Sequence, residues 1–167
     1  MQDGTTYNAA ADLIERNLAA GRGTKPAFID DCGQYSYAEI AGRVRRFANA
    51  LRRMGVHPEQ RILVCLHDSI DFPTAFLGAI AAGVVPVAVN TQLSPDEFAF
   101  MLGDSRARTV IVSAPVLPAM TAALALLPEP LALFAVSDIE PAFPGWNGVF
   151  AHAVPDSDIR VSILQRV

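Results

Sequence analysis

The chain has 167 residues, enough for one domain with its own hydrophobic core. Its formal net charge of −4 argues against nucleic acid or an anionic membrane as a partner. Two cysteines, Cys32 and Cys65, are too few for a disulfide scaffold, and the first residues lack the features of a secretory signal, so we expect a cytoplasmic protein. Hydrophobic residues make up 51% of the chain, an excess that predicts a large apolar surface to be covered.

The first part of the chain is predicted to form a helix, a hairpin and a second helix. Apolar spacing over residues 8–20 fits an amphipathic helix that a glycine follows. PAFID and QYSY then form a predicted hairpin with Gly33 in its turn. Ser36 and Glu39 match a capping box, which predicts a helix over residues 37–54.

From residue 61 onward, short apolar runs alternate with helical patterns. The runs are RILVCL (61–66), VVPVAV (84–89), TVIVS (109–113) and LALFAV (131–136). A second capping box, SPDE, begins one of the helices between them. Uniformly apolar strands joined by helices are typical of a parallel sheet that is covered on both faces. We therefore predict a doubly wound α/β fold, mostly parallel, with a small N-terminal hairpin.

The composition changes after Leu127. Five prolines fall within residues 128–155, and only LALFAV has the pattern of a regular element. We predict an N-terminal α/β subdomain over residues 1–127. Residues 128–167 are predicted to add one further strand and an irregular, proline-rich tail.

The run LGAIAAGVVPVAVN (77–90) has two glycines in a G-x-x-x-x-G spacing, yet a phosphate-binding loop is excluded. No Lys-Ser/Thr pair follows, and the predicted helix precedes the strand, whereas a phosphate loop runs from strand to helix. The apolar run is also shorter than the roughly 20 residues that span a bilayer. Gly83 is better explained as the residue that ends a helix.

Polar residues that follow the predicted strands are the candidates for ligand contact. His67, Asp68 and Asp71 come after RILVCL, and Thr91 and Gln92 come after VVPVAV. Ligands of open α/β sheets bind at the carboxyl ends of the strands, so these positions are suitable. Helix capping by an Asp or Ser near residue 68, and simple turn formation at residues 90–92, explain them equally well. Three scattered histidines without paired spacing argue against a metal site.

Several motifs resemble, in the right order, the N-terminal region of adenylate-forming acyl-CoA synthetases. YSYAEI (35–40) is similar to the first core motif of that family, and LGAIAAGVVPVAVN is similar to the second. The resemblance covers about residues 7–125. The opening YNAAADLIERNLAAGRGTKPAFIDD is more similar to the benzoate–CoA ligase branch than to the fatty-acid or peptide-synthetase branches.

The resemblance implies an enzyme that activates an aromatic carboxylic acid with ATP and Mg²⁺ and transfers it to coenzyme A. Such enzymes use a serine-, threonine- and glycine-rich phosphate loop and a lysine from a C-terminal domain. Neither matches this sequence, whose one lysine is Lys25. We therefore expect no catalytic residue, no metal ligand and no cofactor bound by this chain alone, and no adenylation activity.

Two apolar helical segments, FPTAFLGAIAA and VLPAMTAALALL, are expected to be covered on both sides. The remainder of a ligase chain could cover them, or the chain could associate with itself. A non-catalytic, partner-binding module therefore stays open as an alternative, as does a small flavodoxin-like nucleotide binder, although no glycine-rich strand-to-helix loop favours the latter.

Overall fold

The computed structural model describes residues 7–129 and 131–136. The helices and strands predicted above are confirmed, with ends that differ by up to about three residues. The elements, in chain order, are α1 (Ala9–Ala19), β1 (Pro26–Asp30), β2 (Gly33–Ser36), α2 (Tyr37–Arg53), β3 (Arg61–Cys65), α3 (Asp71–Ala81), β4 (Val85–Ala88), α4 (Pro95–Ser105), β5 (Thr109–Ser113), a 3-10 turn (Ala114–Val116), α5 (Leu117–Leu124) and β6 (Ala132–Val136).

The last four strands form one parallel sheet, and β1 and β2 form a separate antiparallel hairpin. The order in the sheet is β4-β3-β5-β6, so the chain moves outward from β3 to β4 and then crosses back to β5. Every pairing in this sheet is parallel. The doubly wound α/β fold with an N-terminal hairpin is therefore confirmed.

Helices cover both faces of the sheet. Phe47 of α2 and Ala79 of α3 pack on one face, while Phe98 of α4 and Met120 of α5 pack on the other. Because successive side chains of a strand point to opposite faces, each central strand contributes to both cores. The first core receives Ile62, Val64 and Ile111, and the second receives Leu63, Cys65, Val110 and Val112.

Both predicted capping boxes form. The Ser36 hydroxyl accepts a hydrogen bond from the Glu39 amide at 3.3 Å, and the Glu39 carboxylate accepts one from the Ser36 amide at 2.8 Å. Ser94 and Glu97 repeat this arrangement at the start of α4, with Pro95 at the first helical position. Hydrogen bonds from the serine backbone and hydroxyl lower the pKa of each glutamate.

The glycines of LGAIAAG have two different structural roles. Gly83 follows the C-cap of α3 with a φ of 77°, in the left-handed region that favours glycine, as predicted. Gly78 lies where α3 approaches α2 most closely: an added Cβ would be 2.7 Å from Cδ1 and 2.9 Å from Cβ of Phe47. The sequence pattern did not predict this close approach.

The helix α3 is covered by other parts of the chain. None of its residues is exposed, since α2 packs on one side and α1 on another. Ile14 of α1 and Leu77 of α3 belong to one apolar cluster, and the Asn8 side chain donates a hydrogen bond to the Ile80 carbonyl at 2.7 Å. The apolarity of α3 therefore has an explanation within this chain, and it does not require a further subdomain.

The start of α3 differs from the prediction. The helix begins at Asp71, and its N-cap is Ile70, whose side chain forms no cap hydrogen bond. The interpretation of Asp68 as the N-cap is therefore wrong, whereas the Ser69 hydroxyl accepts a hydrogen bond from the Asp71 amide at 3.3 Å.

The strand that was predicted after Leu127 joins the sheet as β6. It pairs with β5 in the register Thr109↔Ala132 to Ser113↔Val136. The irregular tail that was predicted beyond it lies outside the described residues, and the boundary at residue 127 stays a prediction. Across residues 7–129 and 131–136, no helix has both the length and the apolarity that a membrane span requires.

Candidate functional site

The topology creates a switch point between β3 and β5. The connection that leaves β3 passes through α3 on one face of the sheet, whereas the connection that leaves β5 passes through α5 on the other face. The two connections therefore diverge at the carboxyl ends of adjacent strands. In open α/β sheets this divergence forms a crevice in which ligands bind.

His67 and Ser113 meet at this switch point. The His67 backbone amide donates a hydrogen bond to the Ser113 hydroxyl at 2.9 Å and so bridges the ends of β3 and β5. Ser113 is fully buried, whereas the His67 residue is exposed. Ser113 therefore fixes the backbone of the loop, while contact between His67 and a ligand stays a prediction.

Ser113 was missing from the candidates. It is the last residue of TVIVS and the one polar residue at the carboxyl end of that strand. The argument that selected His67, a polar residue where a buried strand ends, applies equally to Ser113. Its partner, however, is 46 residues away in the chain, and the sequence did not indicate that contact.

Thr91 and Gln92 lie on the β4 side of the same edge. The Asn90 side chain accepts a hydrogen bond from the Gln92 amide at 2.9 Å, which is the geometry of an Asx turn. The Cys65 thiol lies 3.6 Å from the Asn90 carbonyl and joins this turn to the end of β3. Turn formation at residues 90–92 is therefore confirmed, while ligand contact by Thr91 or Gln92 stays a prediction.

The structure separates the acidic residues that follow β3. Asp68 is exposed at the edge, but Asp71 is 7% exposed and lies 3.9 Å from the Arg43 guanidinium. In the part of the chain that the structure describes, no group of three His, Cys, Asp or Glu residues could hold a metal ion.

The turns at this edge lack the glycines of a phosphate loop. No glycine lies between β3 and α3 or between β4 and α4. The expectation that this chain alone binds no cofactor stays a prediction.

Comparison with known proteins identifies the family. Residues 15–151 match the model of the AMP-binding enzymes. The chain belongs to this family. Over 123 residues it is 54% identical to the benzoate–CoA ligase of Thauera aromatica, an alignment that covers 73% of this chain and 23% of the relative. It is also 47% identical to a 4-hydroxybenzoate–CoA/benzoate–CoA ligase of Rhodopseudomonas palustris, covering 79% of this chain and 24% of the relative.

The fold comparison agrees. A crystal structure of a benzoate–CoA ligase from Burkholderia xenovorans LB400 matches with a TM-score of 0.72 and 46% identity, and covers 77% of this chain and 26% of that one. The chain therefore spans about a quarter of the length of the relatives that it matches. Recognition of the adenylate-forming family, and of its benzoate–CoA ligase branch, is confirmed.

Proposed function

We propose that this chain is the N-terminal part of an ATP-dependent, AMP-forming ligase that joins an aromatic carboxylic acid, of the benzoate type, to coenzyme A. The observation that carries the proposal is the 54% identity to a benzoate–CoA ligase over 123 residues. The presence of the whole aligned segment as a folded α/β unit supports it further. The aromatic acid, ATP, Mg²⁺ and coenzyme A belong to the complete enzyme.

A chimera tests the proposal. Residues 7–129 of this chain would replace the aligned segment of the Thauera aromatica ligase, and benzoate-dependent formation of the CoA thioester would be measured. We expect the chimera to keep this activity, because the core contacts of the segment come with it. A folded chimera that no longer forms benzoyl-CoA would contradict the proposal.

The same chimera tests the switch point. We expect His67→Gln to raise the KM or lower the kcat of the chimera, because His67 stands at the carboxyl edge. His57→Gln is the matched control, since His57 precedes β3 and lies at the opposite edge of the sheet. Equal kinetics for the two variants would remove His67 from the site.

We further propose that the 167-residue chain by itself is inactive. Its 167 residues contain neither the phosphate loop nor the lysine of the C-terminal domain that the family's chemistry uses. The test is benzoate-dependent exchange of pyrophosphate into ATP by the purified chain, with the Thauera aromatica ligase as a positive control. Exchange above the protein-free background would refute this proposal.

A second candidate function is a non-catalytic module that binds a partner or associates with itself. It is favoured by Phe100 of α4, which is 68% exposed, and by Leu126 beyond α5, which is 56% exposed. Leu93, Asp96, Glu97, Phe100 and Met101 line a surface pocket of about 400 Å³. Sedimentation velocity decides: a monodisperse dimer that Phe100→Ser converts to a monomer favours the module, and a monomer of the unchanged chain rejects self-association.

We place the parent ligase in the cytoplasm. Cys32 and Cys65 are both free thiols, and a reducing compartment keeps them so. Fractionation of cells that express the complete protein is the direct test, and recovery in an exported fraction would contradict the assignment.

A further inference from the structure

A polar link joins the N-terminal hairpin to the start of α3. Asp30 is the last residue of β1, and one oxygen of its carboxylate, Oδ2, accepts a hydrogen bond from the Ile70 amide at 2.8 Å. The other oxygen, Oδ1, accepts hydrogen bonds from the amides of Cys32 and Gly33 at 2.9 and 3.0 Å. One side chain thus holds the turn of the hairpin and the residue before α3 together.

This link supplies a hydrogen-bond acceptor for the Ile70 amide, at the residue just before α3. Ile70 is the N-cap of α3, and it has no side chain that could accept a hydrogen bond. Amides at the start of a helix need partners from outside the helix. The Ser69 hydroxyl accepts a hydrogen bond from the Asp71 amide, and the Ser69 carbonyl accepts one from the Phe72 amide. Asp30, which is 40 residues away in the chain, accepts the hydrogen bond from the Ile70 amide. A carboxylate at this end also interacts favourably with the helix dipole.

A second contact joins the same elements. The guanidinium carbon of Arg43, on α2, lies 5.1 Å from the centre of the Tyr35 ring in the hairpin. Its Nη1 lies 3.9 Å from the carboxylate of Asp71, in the first turn of α3. Burial, followed by the negative charge of Asp30, raises the pKa of Tyr35. The hairpin therefore contacts the start of α3 both directly and through α2.

The loop that carries His67 is short and is held at both ends. At one end the His67 amide is bound by Ser113, and at the other the Ile70 amide is bound by Asp30. We propose that Asp30 is a positioning residue, through which the hairpin fixes the loop that presents His67 at the switch point. The link to ligand binding rests on the function proposed above, whereas the positioning itself does not.

Backbone amide exchange in the full 167-residue chain tests the link. In Asp30→Ala, exchange of the Ile70 amide should become about tenfold faster, the size expected when a hydrogen bond to a charged group is lost. Asp31→Asn is the matched control, because Asp31 is the exposed neighbour in the same turn, and it should leave this rate unchanged. An Ile70 rate in Asp30→Ala equal to that of the unchanged chain would overturn the proposal.

Asp30→Asn keeps the test valid if the alanine variant does not fold. Asparagine has the same shape but one acceptor oxygen, so it cannot bind both the hairpin turn and Ile70. We expect faster exchange either at Ile70 or at Cys32 and Gly33, with unchanged protection of α5 as evidence of folding. Full protection at all three amides would overturn the role of the carboxylate.

The imidazole resonance of His67 separates positioning from mere stabilisation. We expect it to shift in Asp30→Ala and Asp30→Asn, while the resonance of His57, at the opposite edge, stays in place. A faster Ile70 amide without any change at His67 would reject the positioning role. The amide-exchange and imidazole measurements need neither a ligand nor enzyme activity. An inactive chimera would therefore reject the proposed function without affecting the positioning role of Asp30.

Discussion

The two faces of the sheet are covered to different extents, although α3 on one face and α5 on the other are similarly apolar in sequence. On one face, α3 lies between α2 and α1, and none of its residues is exposed. On the other face, α4 presents Phe100 to solvent, and Leu126 is exposed just beyond α5. The chain thus closes one face with its own first helix and leaves apolar surface on the other.

This difference teaches that the apolarity of a helix does not reveal what covers it. Both apolar helical segments of the sequence are expected to be covered on both sides, and for α3 that cover comes from α2 and α1 of the same chain. Phe100 and Leu126 give the other face an exposed apolar surface, and its cover by the remainder of a ligase or by a second copy stays a proposal. The predictions below test this contrast between a closed and an open face.

The largest effect is expected within α4 itself. Phe98→Ala should lower the free energy of unfolding by about 3–5 kcal/mol, because Phe98 is fully buried under the sheet and its removal leaves a cavity. Phe100→Ala should change it by less than about 0.5 kcal/mol, because that ring is mostly in solvent. Urea denaturation measures both. Equal losses would mean that Phe100 is also covered and that the open face does not exist.

The next effect tests the closed face. Gly78→Ala should destabilise the chain by about 1–2 kcal/mol, because the new methyl group would collide with the Cβ of Phe47, which cannot move without α2. Gly103→Ala, in α4, meets no atom within 4 Å and should stabilise by up to about 1 kcal/mol through helix propensity. Thermal unfolding compares the pair, and a neutral Gly78→Ala would show that the closed face is loosely packed.

The capping boxes allow a smaller effect to be compared on the two faces, because Ser36 caps α2 on one face and Ser94 caps α4 on the other. Ser36→Ala and Ser94→Ala should each cost about 1 kcal/mol. Because the pKa of Glu39 and of Glu97 is lowered in the folded chain from an ordinary value of 4.5, their contributions are complete above that pH and are lost as the pH falls below it. The free energy of unfolding, measured from about pH 3 to about pH 6 across the carboxyl titration range, gives this loss. Each serine variant should show a weaker pH dependence than the unchanged chain.

The smallest perturbation uses the two thiols as probes. Burial raises the pKa of Cys65 to about 11, and its side chain lies in the core beneath α4 and α5. Cys32 is exposed in the hairpin turn. With a thiol reagent near neutral pH we expect Cys32 to react rapidly and Cys65 to react only after unfolding. In Cys32→Ser the reaction of Cys65 can be measured by itself. Rapid labelling of Cys65 would mean that the open face extends into the core.

Local patterns in the sequence were sufficient for the elements and for the class of fold. Each capping box joins residues that are three apart in the chain, and the apolar run of a strand is recognisable without information about the strands beside it. The order of helices and strands therefore followed from local sequence. The motifs around YSYAEI and LGAIAAGVVPVAVN also determined the family, which the match over residues 15–151 confirmed. The candidates His67, Thr91 and Gln92 followed from where predicted strands end.

Only the tertiary structure decided which distant residues meet. Ser113 reaches His67 across 46 residues, Asp30 reaches Ile70 across 40, and α1 returns to cover α3. Hydrogen bonds between elements depend on strand order and helix placement, and no local pattern in the sequence encodes these. The amino-acid sequence by itself determined the elements, the family and the edge at which a ligand could bind, whereas the packing of the elements decided which residues shape that edge and which face stays open.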